Sequence, residues 1–444
     1  MSPSGTRLTR SRRLVGLLSA AALALSGCGG GGTTATSATK VGPLDPDKKV
    51  EIVWWHGQSA EAAAILGKLA REYEKAHPNV KIKDSAGASS TDELLQKMQA
   101  GLASDTYPDV SYAFGSWAGK LAQSGKTLDI APLVKKSDSG WDEFPEAARL
   151  TAEYDGKVMG FPAVVDNLGL LYNKDLFDKA GVAYPTADWT WDDFRAAAAK
   201  INNPEAKISG TAYPVSPDEG ATWRLWPQLW QNGGEILDSK GQPTFDQDAG
   251  VAALSYWQTL AREDKSVYLD QTGQKFEQMF ASGSIGMIMD GPWLLYTVKE
   301  AKLNYGAAPL PGTNGDHQTI SGPDLWVLFD HQEEQRAAAA YDFISWLTAP
   351  EQDVRWNVAY GNLPLRKSAS STPEFKKFLT EFPGGDVFFA NLDNAVKARP
   401  TVPGYQSMSL NVAKAINEVL VGGADPKQAL NDAATKSLPD LKEN

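Results

Sequence analysis

Four histidines, one cysteine and 54 acidic side chains are the groups in this 444-residue chain that invite a search for chemistry. His56, His77, His317 and His331 do not pair at helical or loop metal-ligand spacing, and Cys28 has no second thiol, so no metal site is expected. Gly125-Lys126-Thr127 imitates the end of a phosphate-binding loop. That loop needs a glycine five positions before Gly125, and Lys120 stands there, so Gly125 reads as a helix end. No Gly-x-Ser-x-Gly nucleophile elbow occurs. Counting leaves room for a glycosidase-type carboxyl pair, but no spacing marks two acids as partners. The chain implies no cofactor and reads as a binding protein rather than an enzyme.

The aromatic residues point to binding. Fourteen tryptophans are a high count, and Trp54, Trp55, Trp117 and Trp293 sit where strands end and loops begin. In open α/β sheets ligands bind beyond the carboxyl ends of strands. A tryptophan there serves either core packing or as a stacking platform. A sugar ring suits the platform: its C–H face lies on the aromatic, and carboxylates and amides take its hydroxyls.

The start of the chain concerns address. Arg7, Arg10, Arg12 and Arg13 precede an apolar run from Leu14 to Leu25, too short to span a bilayer, which needs about 20 residues. Residues 1–27 read as a signal peptide. Leu25-Ser26-Gly27-Cys28 resembles a bacterial lipobox, which predicts acylation of Cys28 and a protein held on the outer face of the cell membrane. Ser11-Arg12-Arg13-Leu14-Val15 leaves the export route open between the general and twin-arginine systems. Without the leader the chain carries 39 basic and 54 acidic residues, net −15. So acidic a body excludes nucleic acid as a partner and leaves the acyl chains as the anchor. Residues 28–49, rich in Gly, Thr, Ser and Pro, read as a flexible tether.

The elements that must position the aromatic residues alternate. Val50–Trp55, Val80–Lys83, Asp109–Phe114, Asn167–Tyr172, Ile285–Met289, Tyr305–Leu310 and Leu325–Phe329 read as strands. Helices separate them. One carries Ile65, Leu66, Leu69 and Tyr73 on a face, and another opens at a Ser90-Thr91-Asp92-Glu93 capping box. Gly291-Pro292-Trp293 reads as a helix start, and the chain is mostly helical beyond Gln332. This order predicts an α/β protein of two interleaved lobes with the chain crossing between them.

Six stretches together resemble family 1 extracellular solute-binding proteins, the receptors of carbohydrate ABC importers, with maltose-binding protein as the best-known relative. They are Val53-Trp54-Trp55-His56; Tyr73-Glu74-Lys75-Ala76-His77-Pro78; Tyr107-Pro108-Asp109-Val110; Leu171-Tyr172-Asn173-Lys174-Asp175-Leu176-Phe177; Phe280-Ala281-Ser282-Gly283 with Met289-Asp290-Gly291-Pro292-Trp293; and Tyr305-Gly306-Ala307-Ala308-Pro309-Leu310-Pro311. The resemblance implies a ligand cleft between periplasmic-binding-protein-like lobes, residues 50–163 with 306–349 and residues 164–305 with 350–444. It places Asp166 on a sugar-binding carboxylate, Trp293 and Trp223 on stacking aromatics, and Gln58 and Ser59 on polar residues after the first strand. Ser116 and Trp117 stand where the maltose-binding relative has other polar contacts. Its third aromatic falls at Ser409, with Tyr405 close by. The implied partners are a sugar of two or more units, membrane permease subunits and lipid; a monomer is expected. Two alternatives stand beside this reading: a secreted glycan-cleaving lipoprotein, and the same receptor fold with a non-sugar ligand.

Overall fold

Alternation at Val50–Trp55 buries Val50, Ile52 and Trp54 and exposes Glu51, the period of a strand with one face on a core. In the computed structural model, which describes residues 39–442 except 59, 89–90, 137–138, 274 and 359–360, this segment is the first of twelve strands considered below. The leader, Cys28, Ser59 and Ser90 lie outside the described residues. The strands in chain order are β1 Val50–Trp55, β2 Val80–Ser85, β3 Val110–Phe114, β4 Gly160–Val164, β5 Gly169–Asn173, β6 Ser209–Pro214, β7 Val267–Asp270, β8 Ile285–Asp290, β9 Tyr305–Ala308, β10 Ile320–Ser321, β11 Asp324–Leu328 and β12 Lys397–Ala398.

They form two five-stranded sheets of order β2-β1-β3-β11-β4 and β9-β5-β8-β6-β7, with β10 and β12 paired separately. In the first sheet β11 is antiparallel to β3 and β4; in the second β5 is antiparallel to β8 and β9. Helices α1 Ala60–Ala76 and α2 Thr91–Ser104 connect strands of the first sheet, as α/β alternation requires. The first core gathers Trp54, Trp326, Phe343 and Trp356, with Trp54 edge-on to Trp326 at 5.4 Å. Fully burying each such side chain is worth about 1.5–3 kcal/mol. Successive residues of β5 divide between two cores: Leu170 and Tyr172 on one face, Leu171 on the other. The second sheet is therefore covered on both sides.

Three stretches cross between the sheets. The first is 165–168, joining β4 to β5. The second runs from the end of β9 through β10 to β11, and the third follows Trp356. Asn167 and Ser321 form an isolated antiparallel bridge, and β10 pairs in parallel with β12. Two buried asparagines fasten the layer. Asn391 donates to the Asn167 side chain (2.8 Å) and the Leu168 carbonyl (2.9 Å), and Asn167 donates to the Phe388 carbonyl (2.9 Å).

Three boundaries differ from expectation. Residues 306–308 lie in the second sheet, because Tyr305–Ala308 pairs antiparallel with Asn173–Leu170. The helix α6 Pro350–Trp356, counted here after α3 Glu219–Gln231, α4 Leu294–Glu300 and α5 Glu334–Leu347, packs on the first sheet's side: Arg355 holds Glu72 of α1 at 2.8 Å and Trp356 joins the first core. Residues 39–49 are docked rather than free. Thr39 donates to Asp330 (2.9 Å), Asp45 to Gln335 (2.8 Å), Asn79 returns a bond to the Asp45 carbonyl, and Val41 is buried.

Candidate ligand-binding site

β1, β3 and β4 end on the same edge of the first sheet, where β11 begins at Asp324 opposite Phe114 and Val164. β6, β7 and β8 end on one edge of the second sheet, where β5 begins at Gly169 opposite Asp290. The short 165–168 crossing joins these two edges. Gln58 follows β1 and is half-buried, with its backbone N–H donating to His56 Nδ1 at 3.2 Å. Ser116 and Trp117 follow β3 in a buried turn. Asp166 follows β4, Trp293 follows β8, and Trp223 lies on α3, the helix after β6.

The structure brings Asp166, Trp223 and Trp293 together. The Trp223 and Trp293 rings lie 5.5 Å apart at an interplanar angle of 34°. Gly322 lets the Trp223 ring settle against the second crossing: a Cβ there would stand 2.7 Å from the indole, and the Gly322 N–H donates to the Asp166 carbonyl at 2.7 Å. Asp166 is 8% exposed, and its Oδ1 and the Trp223 indole N–H have no partner among the described residues. Burial, then the neighbouring Asp324, push the Asp166 carboxyl well above the usual range, against the pull of Arg399. Buried polar atoms are ordinarily paired, so Asp166 Oδ1 is open to a polar ligand or water; the Trp223 indole says less, because those of Trp54, Trp326 and Trp356 in the first core are unpaired too.

Arg399 and three acids make up the electrostatics. Arg399 Nη2 lies 3.4 Å from Asp324 Oδ1, its Nη1 lies 3.8 Å from Glu219 Oε1, and its guanidinium stands 5.9 Å from the Trp223 ring. Burial opposes the charge of Arg399, but Glu219 and Asp324 outweigh it and raise its pKa. Burial raises both carboxyls, with Arg399 opposing.

This arrangement of two five-stranded mixed sheets joined by crossing stretches has relatives. Residues 68–380 match the family described as bacterial extracellular solute-binding protein. The chain belongs to that family. It is 25% identical over 450 residues to the maltooligosaccharide ABC transporter solute-binding lipoprotein of Streptococcus pneumoniae, covering 99% of each chain. It is 25% identical over 413 residues to the sn-glycerol-3-phosphate-binding periplasmic protein of Brucella abortus, covering 87% of this chain and 92% of that one. Among solved structures, the cyclic alpha-maltosyl-1,6-maltose binding protein of Arthrobacter globiformis superposes with a TM-score of 0.77 at 26% identity, covering 89% of this chain and 100% of that one. As an extracellular solute-binding protein the chain is an extracytoplasmic receptor and not an enzyme. No helix among the described residues is long and apolar enough to cross a membrane.

In this solute-binding protein Trp293 has a built seat. A Cβ on Gly291 would stand 1.8 Å from its ring, so the indole folds back over glycine backbone. The buried Asp290 accepts from the Gly291 N–H (2.8 Å) and pairs with Arg224 at 3.3 Å. Arg224 also donates to the Met289 carbonyl at 3.0 Å. Burial and then Asp290 push Glu277 up to about 8, while Arg224 and the Trp293 indole oppose the shift.

Other expected residues are placed differently. Trp117 is 2% exposed and belongs to the first core, its ring 5.0 Å from Phe114, so packing claims it rather than the cleft. Ser409 and Tyr405 are buried and donate to Glu219 at 2.6 and 2.9 Å, so neither offers a ring in place of the third aromatic. Sequence reasoning missed Arg399, Asp324 and Glu219. Only the fold joins them, and no local spacing announces them.

Proposed function

We propose that this chain is the receptor of an ABC importer and captures a neutral sugar of two or more units between its lobes. The observation that carries this reading is the Trp223–Trp293 pair, 5.5 Å apart, beside the orphan Asp166 Oδ1. The rings provide an apolar wall for sugar C–H faces, and the orphan carboxyl oxygen and indole N–H suit hydroxyls, which both donate and accept. Gln58 and Ser116 are assigned to further hydroxyl contacts from the first sheet's edge, and Ser59, the next residue in sequence after Gln58, is assigned the same role. The pneumococcal and Arthrobacter relatives are named for maltooligosaccharides and a cyclic maltosyl-maltose, which favours a glucan.

The Brucella relative is named for sn-glycerol 3-phosphate, so an anionic ligand is the second reading. The charge balance speaks against it here. Around the tryptophan pair the described residues include two cations, Arg399 faced by Asp324 and Glu219, and Arg224 paired with Asp290, so each guanidinium already has its acid.

Lobe closure converts binding into a signal, because a ligand touching both lobes favours the closed shape by its differential affinity. The closed receptor delivers the sugar to a membrane permease. Lipid on Cys28 keeps it beside that permease; the lipobox residues support this, and the pneumococcal relative is itself a lipoprotein. The receptor acts as a monomer. Micromolar affinity corresponds to about −8 kcal/mol. Titrating the folded protein with maltose, maltotriose and larger glucans should change tryptophan fluorescence and release or absorb heat. A flat response across a broad neutral-sugar panel refutes the reading.

A further inference from the structure

Arg399 is a buried guanidinium with an unpartnered Nε, lying beside the tryptophan wall of a cleft. Such a group is ordinarily an excellent receptor for phosphate, which it can grip with several parallel N–H donors. Here its charge is claimed from two directions. Asp324, on β11 of the first sheet, approaches Nη2, and Glu219, at the start of α3 beside the second sheet, approaches Nη1.

Each carboxylate is fixed by its own side of the molecule. Asp324 accepts from the Tyr112 hydroxyl and from the Gly115 N–H at 3.3 Å. Glu219 accepts from Tyr405 at 2.9 Å and Ser409 at 2.6 Å. These bonds keep the acids from swinging aside when an anion arrives. A phosphorylated ligand would therefore have to displace two anchored acids.

We infer that Asp324 and Glu219 are specificity-determining residues, which hold Arg399 from opposite sides of the cleft and so make the site select neutral over phosphorylated sugars. The inference rests on the neutral-sugar reading above. Family members named for glucans and for a glycerol phosphate share this architecture, and these two carboxyls are where this chain makes the choice.

The test uses the full chain, purified as wild type, Glu219→Gln, Asp324→Asn and the double variant. Each is titrated calorimetrically with maltose, glucose 1-phosphate and inorganic phosphate at low and high salt. The amides keep hydrogen-bonding capacity while removing charge. Glu219→Gln should raise glucose 1-phosphate affinity at least tenfold over wild type, and the double variant further. The gain should shrink with salt and vanish when Arg399→Met is added. Should Asp324→Asn fail to fold, Glu219→Gln alone decides. Folded variants that gain no phosphate-ester affinity overturn the inference even if maltose binds, and the neutral-sugar reading then stands. Variants that gain it while the wild type binds no neutral sugar show that the two carboxyls keep phosphate esters out, but overturn the neutral-sugar reading and with it the selection inferred here.

Discussion

Replacing Asp353 by asparagine should remove a pH dependence of stability that the wild type possesses. Asp353 on α6 is fully buried, accepts from the Leu365 N–H at 2.7 Å and from Asn357 Nδ2 at 2.9 Å, and thereby ties α6 to the third crossing. Asn357 also donates to the Ala163 carbonyl at 3.0 Å, at the end of the first sheet. Burial pushes the Asp353 carboxyl up to about 7, against its hydrogen bonds and Arg366. The folded chain thus holds a proton that the unfolded chain releases near pH 4. That stabilisation is complete below the unfolded pKa and is lost as pH rises through about 7. The shift of roughly three units sets a ceiling of about 4 kcal/mol, of which roughly 2–3 kcal/mol falls between pH 5 and 8. Asp353→Asn cannot titrate, and its amide also places N–H groups against existing donors, a pH-independent loss of about 1–3 kcal/mol. Urea denaturation at pH 5, 6, 7 and 8, followed by circular dichroism, should show the wild type's advantage over the variant shrinking as pH rises. Parallel stabilities across that range would refute the assignment of a buried, protonated Asp353.

Trp293→Ala should weaken neutral-sugar binding by one to two orders of magnitude in calorimetry, since a lost ring face and its stacking are worth about 1.5–3 kcal/mol. Gly322→Ala should push the Trp223 ring from its place, because the new Cβ would stand 2.7 Å from it; sugar affinity should fall at least tenfold, and unchanged affinity would separate Trp223 from the site. Cys28→Ala should leave sugar binding intact while moving the protein from the membrane fraction to the medium, and retention on the membrane would remove the lipid assignment.

Much of the scaffold was legible because it is periodic. Val50–Trp55 and Ile285–Asp290 are bounded apolar runs, and both appear as strands at or within one residue of the expected positions. Lys397–Ala398 escaped, because a two-residue strand has no period and exists only through its pairing with Ile320–Ser321. Composition misled at residues 39–49. Gly42 and Pro43 suggest a flexible run, but the side chains of Asp330 and Gln335, nearly 300 positions away, capture its backbone. Trp223 and Trp293 were named through family resemblance and lie 5.5 Å apart, whereas Trp117 shows why residue type alone decides little, since its indole packs in the first core. Arg399 was invisible for a different reason. Its meaning lies in partners at 219 and 324, and charge compensation over such separations is a property of the folded chain.

The docked 39–49 segment has a mechanical consequence. It reaches the first sheet at the amino end of β1, the pole opposite the cleft, and eleven residue steps separate Thr39 from Cys28. Were Cys28 acylated as proposed, the chain from it to Thr39 could span at most about 40 Å, at roughly 3.3–3.6 Å per residue. A pull applied there would enter the described residues through Asp330 and Gln335 on the first sheet's side, not through the second sheet.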